Sequence, residues 1–424
     1  MLFLQKNYNI MILNLSFNNY RSFQGRCEFT TEPTCSRAKM NNVYKVQTKA
    51  EGEKSALKVS VIFGPNGSGK SGIIKFLYGM SRWIKNKDNR AGESVPLYDP
   101  FKFDEGSSLL PTDFQIEFIT NGVRYRYAIS FDVKSVLKET LHYYPNAKIT
   151  LLYERTETEE SNETHTLKFG TSVTGLKPFR VFANQLLLSK FITDTPAENI
   201  TEAAKYLANI IVSNGYHEDI TRGNDAELLR WLATNPQYKK MLSELLSFAD
   251  TGMGAFELQK RSDGYDVLSV HTKYYDEKSV GEANLSIKEE SFGTRALFLI
   301  GCQILQALQT GATIFADEMD SGLHLSISRF IVDMFRNTRI NSKNAQLILT
   351  THDISLLDQN DIRKDQVWFT RKDQYGVSEL YSLSDFEDVR EETPFAKWYV
   401  NNKFGAMPSI ESLEKLFVEN GKSK

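Results

Sequence analysis

The sequence predicts an α/β protein. It should hold a parallel-type core sheet, an antiparallel β subdomain in its N-terminal half and an inserted helical subdomain. Three observations carry this. Short apolar runs, VSVIF at 59–63, ATIFAD at 312–317 and QLILTT at 346–351, alternate with segments of helical spacing, as in a parallel sheet covered by helices. Between them, FQIEFIT and VRYRYAISF flank Asn121-Gly122, the residue pair of a tight antiparallel hairpin. From about Asn184 to Phe248 the pattern turns helical.

Taken in order, residues 11–63 read as strands. ILNLSF alternates, CEFTTE follows, and LKVSVIF is an apolar run ending at a glycine. Residues 70–84 read as a helix through Ile73, Ile74, Leu77 and Met80. In the hairpin, Val123, Tyr125, Tyr127, Ile129 and Phe131 share one strand face, with Arg124 and Arg126 on the other. KITLLYER and HTLKFG extend the meander. AAKYLANIIV and ELLRWLA read as helices, strand-like segments return at 255–287, and 294–308 and 323–337 are helical. The divisions expected are 1–183, with a glycine-rich loop and the meander; 184–254, the helical insertion; 255–390, a C-terminal lobe; and 391–424, a tail.

A length of 424 residues suits two to three domains at roughly 150 residues each. Hydrophobic residues make up 41% and charged residues 25%, which excludes a disordered, collagen-like or disulfide-scaffold chain. The net charge of −2 gives no bulk electrostatic hold on nucleic acid. Local basic features remain: Arg82, Lys85, Lys87 and Arg90 after the first helix, and Arg124 with Arg126 on the hairpin. A solvated face is the plainer reading of both, and DNA stays a possible partner. Cys27, Cys35 and Cys302 form no CxxC pair, which argues against a zinc site and for a reducing cytoplasm. No apolar run is long enough to span a membrane. The first residues are too polar for a signal peptide, and Met11 is an alternative start.

The strongest motif is GPNGSGKS, Gly64 to Ser71. It stands directly between a strand and a helix, the setting that gives G-x-x-x-x-G-K-[ST] its meaning. Gly64, Gly67 and Gly69 let backbone wrap closely around phosphates. Pro65, Asn66 and Ser68 complete the loop, and the helix N-terminus behind it favours an anion. Lys70 suits β- and γ-phosphates, and the Ser71 hydroxyl suits magnesium. Next, ATIFADEMD delivers Asp317 and Glu318 at the end of a buried strand. Asp317 suits magnesium, and Glu318 suits the attacking water. Acidic residues in this place also cap helices. LILTTHD puts His352 just past a buried strand, where an open sheet places its ligand and where an imidazole can hydrogen-bond a γ-phosphate. In EESFGTRALF, Ser291 and Thr294 open an apolar helix, as capping alone would also require.

In this order the four motifs resemble an ABC-type ATPase head of the SMC/OLD kind. GPNGSGKS is similar to its Walker A loop, SFGTR to its signature, ADEMD to its Walker B strand and TTHD to its switch histidine. NYRSF at 19–23 is similar to the NFKSF-like element after the first strand of such heads. DEMDSGLH resembles the DE-D-x-x-LHP run of OLD-type and abortive-infection ATPases, with Leu325 where proline is usual. IRKDQVWFTRKD, ELYSLSDF and KWYVNNKFGAMP resemble the tail of AAA-labelled ATPases from bacterial anti-phage abortive-infection, PARIS-type and nuclease-paired systems. The usual GRYGAxP reads NKFGAMP here.

The resemblance implies an ATP hydrolase with ATP and Mg2+ as cofactors. It implies a composite site in which Ser291 and Gly293 of one copy close over ATP held by another. Asp320 would then lie at the seam of a homodimer. A metal-facing glutamine is expected between the meander and the helical block, and Gln185 is the candidate. No heptad run supports a long coiled coil. The stretch after His352 is too short for the nuclease domain of OLD proteins, so nuclease or toxin activity is expected from a co-encoded effector. The rival reading is an SMC-like repair ATPase stimulated by DNA.

Overall fold

The computed structural model describes residues 10–85, 92–157, 165–177, 179–192, 197–214, 224–249, 252–262 and 264–408. The chain opens with β1 (Met11–Phe17) and β2 (Cys27–Thr30), which pair antiparallel, followed by a small hairpin of β3 (Val43–Gln47) and β4 (Glu53–Leu57). β5 (Val59–Phe63) leads into α1 (Lys70–Lys85). A meander follows: β6 (Thr112–Thr120), β7 (Val123–Phe131), β8 (Val136–Tyr143), β9 (Thr150–Glu157) and β10 (His165–Phe169). β1 pairs with β6, giving a seven-stranded sheet in the order β10-β9-β8-β7-β6-β1-β2.

Asn121 and Gly122 both take positive φ, 53° and 71°, as a type I′ turn requires. β7 alternates as expected, with Val123 to Phe131 buried at every second position. β8 escaped the sequence reading because a carboxylate hides its pattern. Glu139 is fully buried there. It accepts hydrogen bonds from Tyr127, Tyr153 and the N–H groups of Leu187 and Leu188, which satisfies a charge that burial would otherwise penalise heavily.

The second half begins with α2 (Glu198–Ala208), β11 (Ile211–Asn214), α3 (Asn224–Thr234) and α4 (Pro236–Phe248). AAKYLANIIV, expected to be helical throughout, is corrected: the helix stops at Ala208 and the last residues join a sheet. Their β-branched side chains suit a strand, and pairing with a distant strand decides the outcome. Then come β12 (Ala255–Lys260), β13 (Tyr265–Tyr275), β14 (Lys278–Ser286), α5 (Phe292–Thr310), β15 (Thr313–Asp317), α6 (Leu325–Arg336), β16 (Gln346–Thr350), β17 (Val367–Lys372), β18 (Ser378–Ser382) and α7 (Phe395–Val400). The central sheet runs β11-β15-β16-β5-β17-β18, parallel except for β18. β5, β15 and β16 are buried at every position. That is why they read as unbroken apolar runs.

Two large cores hold the molecule. In the first, α1 and α2 lie on the seven-stranded sheet. Phe76 meets Phe114 at 5.0 Å, Trp83 meets Phe131 at 5.2 Å and Tyr206 stacks on Phe118 at 4.6 Å between ring centroids. Burying rings of this size contributes roughly 1.5–3 kcal/mol each. In the second, α3 to α6 and the tail surround the central sheet. The segment 184–254 is therefore shared: α2 belongs to the first core, α3 and α4 to the second. Phe404 of NKFGAMP is buried and stacks on Phe369 at 5.1 Å. Leu325, in place of the usual proline, is the first residue of α6, and His324 Nδ1 caps that helix by accepting from the Ser326 N–H at 3.3 Å. All three cysteines are free thiols. Among the described residues, no helix is long and apolar enough to cross a membrane.

Candidate functional site

The order β15-β16-β5 governs the site. These strands are parallel neighbours, so their carboxyl ends lie side by side at about 4.8 Å spacing. The chain after β5 is the glycine loop, the chain after β15 is Asp317-Glu318, and the chain after β16 leads to His352.

The glycines of the loop are required by contact as well as by conformation. Gly64 has φ +154°, and a Cβ there would lie 2.4 Å from Thr370 Oγ1 and 2.5 Å from the Thr370 carbonyl oxygen. Gly69 has φ +113°, and its Cβ would meet Ser378 Oγ at 2.7 Å. The loop is thus pressed onto β17 and β18, and Ser68 Oγ lies 2.5 Å from Thr370 Oγ1. Lys70 is 5% exposed. Its Nζ donates to the carbonyl oxygens of Gly64 at 2.7 Å and Pro65 at 3.2 Å. Burial pulls its pKa below the ordinary lysine value, against the opposing pull of Glu318, Asp317 and Asp320.

Asp317 is buried at the end of β15. Its Oδ1 accepts from Thr350 Oγ1 at 2.7 Å and from Ser71 Oγ at 3.1 Å. Thr350 Oγ1 in turn accepts from the Glu318 N–H at 2.7 Å. Glu318 adopts φ +46°, a left-handed conformation that a residue with a Cβ rarely takes and that functional sites often hold. It lines one cleft of about 730 Å3 with Asn66, Gly67, Gly69, Lys70, Ser71 and His352. Asp320 accepts from the His352 N–H at 3.2 Å. Partial burial and the Lys70 ammonium hold the His352 imidazole below its usual pKa, opposed by Asp320 and Glu318.

The structure thus brings together the loop, Ser71, Asp317, Glu318, Asp320 and His352. Ser291 and Gly293 stand apart from this cleft. Ser291 is exposed and caps α5, its Oγ accepting from the Thr294 N–H at 3.1 Å. Gly293 packs on the loop after Asp320; a Cβ there would lie 2.4 Å from the Gly322 carbonyl oxygen. Gln185 is not brought to the cleft, which corrects its expected place beside the metal. It is buried, and its carbonyl accepts from Arg155. The adjacent Asn184 carbonyl accepts from Trp83 Nε1 at 3.1 Å. Trp83 lies near the far end of α1, roughly 18 Å beyond Ser71 at about 1.5 Å per residue.

Arg124 and Arg126 do not form an open basic groove. Arg126 pairs with Glu117 at 2.6 Å, and Arg124 reaches Glu51 at 3.4 Å and lies over the Tyr144 ring at 3.8 Å. Arg82 and Lys85 are exposed; Lys87 and Arg90 lie outside the described residues. The sequence reading missed Thr350, which joins Asp317 to Glu318, and the cleft residues Asp99, Lys102 and Phe103; Arg21, also in the cleft, falls within NYRSF. A hydroxyl ending an apolar strand was a usable signal for Thr350. Nothing local marks the region 99–103.

A glycine loop on a parallel sheet, with a strand-end carboxylate bonded to the loop's serine, belongs to the AAA/ABC-type class of nucleotide-binding ATPases. Residues 59–358 match the family described as AAA domain, putative AbiEii toxin, type IV TA system, and the chain belongs to that family. A search of curated proteins finds no match.

Proposed function

We propose that this protein binds and hydrolyses ATP, that two copies close around ATP, and that this cycle restrains or releases a partner effector in anti-phage defence in the cytoplasm. The observation that supports it best is the bonded chain Ser71–Asp317–Thr350–Glu318 facing Lys70 and His352 across one cleft. The loop N–H groups and the start of α1 receive the phosphates. Lys70 neutralises the β- and γ-phosphates. The Ser71 hydroxyl and Asp317 carboxylate are hard oxygen donors 3.1 Å apart, and they fit Mg2+. When bound, the ion neutralises charge on the phosphate oxygens. Glu318 orients the attacking water and takes its proton. His352 offers a hydrogen bond to the γ-phosphate.

Exposure of Ser291 and Phe292 favours a role for this edge against a second copy. The toxin–antitoxin wording of the family favours an effector context, with a co-encoded nuclease or toxin as partner. The repair reading needs a free basic surface, and Arg124 and Arg126 are tied to carboxylates. Glu318→Gln should bind ATP, fail to hydrolyse it and accumulate as an ATP-dependent dimer in light scattering. Normal turnover by that variant removes Glu318 from the mechanism. Hydrolysis stimulated by DNA, with steep salt dependence, would favour repair instead.

A further inference from the structure

The cleft continues past the phosphate loop. Its far wall holds Arg21, Asp99, Lys102 and Phe103, none of which the triphosphate chemistry uses. Phe103 is 74% exposed, an unusual state for a large ring in a polar cleft. The ring is nevertheless held in place. It packs edge-on against buried Phe101 at 5.6 Å, and a Cβ on Gly376 would come within 2.7 Å of its Cδ2. Gly376 sits in the turn between β17 and β18, two residues before Ser378, whose Oγ presses on Gly69. The ring and the loop thus line one cleft and lean on the same β17–β18 hairpin.

Charged groups pair beside it. Asp99 Oδ2 lies 3.2 Å from Arg21 Nε, and its Oδ1 lies 2.7 Å from Lys102 Nζ. The Arg21 N–H donates to the Asp99 carbonyl at 2.7 Å, with Arg21 held at φ +53°.

We propose that Phe103 is the platform on which the nucleobase stacks, and that stacking selects the base while its edge goes unread. The site then accepts purine triphosphates with little preference for adenine over guanine. This rests on the ATP-binding reading above. Distinguishing adenine from guanine needs an acceptor for the adenine amino group or a donor for the guanine carbonyl, each in fixed geometry. Both oxygens of Asp99 already face cations. The two cations offer donors to N7, an acceptor that adenine and guanine share. A π-face is common to every base, so stacking is tolerant of base identity, and the larger purine ring covers more apolar area on the phenyl face.

The test is equilibrium binding by calorimetry with the full chain, using ATP, GTP, CTP and inorganic tripolyphosphate. ATP and GTP should bind within about threefold of each other, and CTP more weakly. Phe103→Ala should weaken ATP and GTP about tenfold and leave tripolyphosphate unchanged; Phe103→Trp should restore the affinity. A preference for ATP over GTP greater than tenfold overturns the claim of an unread edge. Unchanged ATP affinity in Phe103→Ala, with tripolyphosphate still bound, overturns the platform and leaves the phosphate site standing. Ring exposure would then point to a docked protein. Wild-type chain that binds neither ATP nor tripolyphosphate removes both this proposal and the reading beneath it.

Discussion

Replacing Thr350 by valine keeps the shape of a fully buried side chain and deletes one hydroxyl. That hydroxyl makes two bonds of 2.7 Å, donating to Asp317 and accepting from the Glu318 N–H. A hydrogen bond to a charged group contributes about 1.5–3 kcal/mol, and a partly buried N–H left without an acceptor costs about 1 kcal/mol or more. The total is roughly 3 kcal/mol. Part of it falls on the placement of Glu318, because the left-handed turn at φ +46° is itself unfavourable by about 1–3 kcal/mol and this bond helps hold it. If half of that loss reaches the transition state, turnover falls about tenfold. Steady-state ATP hydrolysis at saturating ATP, with ATP affinity measured separately, reads the effect. Thr350→Val should lower kcat tenfold or more with affinity within threefold of wild type, and Thr350→Ser should recover most of the loss. A valine variant within twofold of wild-type kcat would refute the argument that this hydroxyl positions Glu318.

Two further predictions follow from the same geometry. Gly293→Ala places a Cβ 2.4 Å from the Gly322 carbonyl oxygen, so the start of α5 or the loop after Asp320 must move. ATP-dependent dimerisation should be lost while monomer ATP affinity stays, and wild-type dimerisation would count against the signature role of this edge. The folded-state pKa of His352 lies below its ordinary value, which is about 6.5. As pH falls from there, the unfolded chain takes the proton first, so this group costs stability only below about 6.5. The acid limb of kcat/KM, which reports the free enzyme, should have its midpoint below that pH and vanish in His352→Gln. A limb unchanged in that variant assigns it to another group.

Wherever local periodicity and burial agree, the sequence was a good guide. The run VSVIF, the loop Gly64–Ser71 and the Asn121-Gly122 turn are dictated within a few residues, by burial on both faces and by backbone conformations that glycine permits. Where a distant contact sets the outcome, local reading fails. Glu139 looks like a break in a strand until Tyr127, Tyr153 and two backbone N–H groups are seen around it. Ile211 and Val212 look like the end of a helix until β15 pairs with them.

The same division runs through the site. The sequence alone determined that a glycine loop between strand and helix, an acidic strand end and a histidine after a strand exist, because each is a short local pattern. Only the tertiary structure decided that Ser71 and Asp317, 246 residues apart, share a hydrogen bond, that Thr350 joins Asp317 to Glu318, and that Gln185 lies elsewhere. Strand order is the physical reason. Which strands become neighbours depends on the packing of whole sheets and helices, and no local spacing along the chain encodes it.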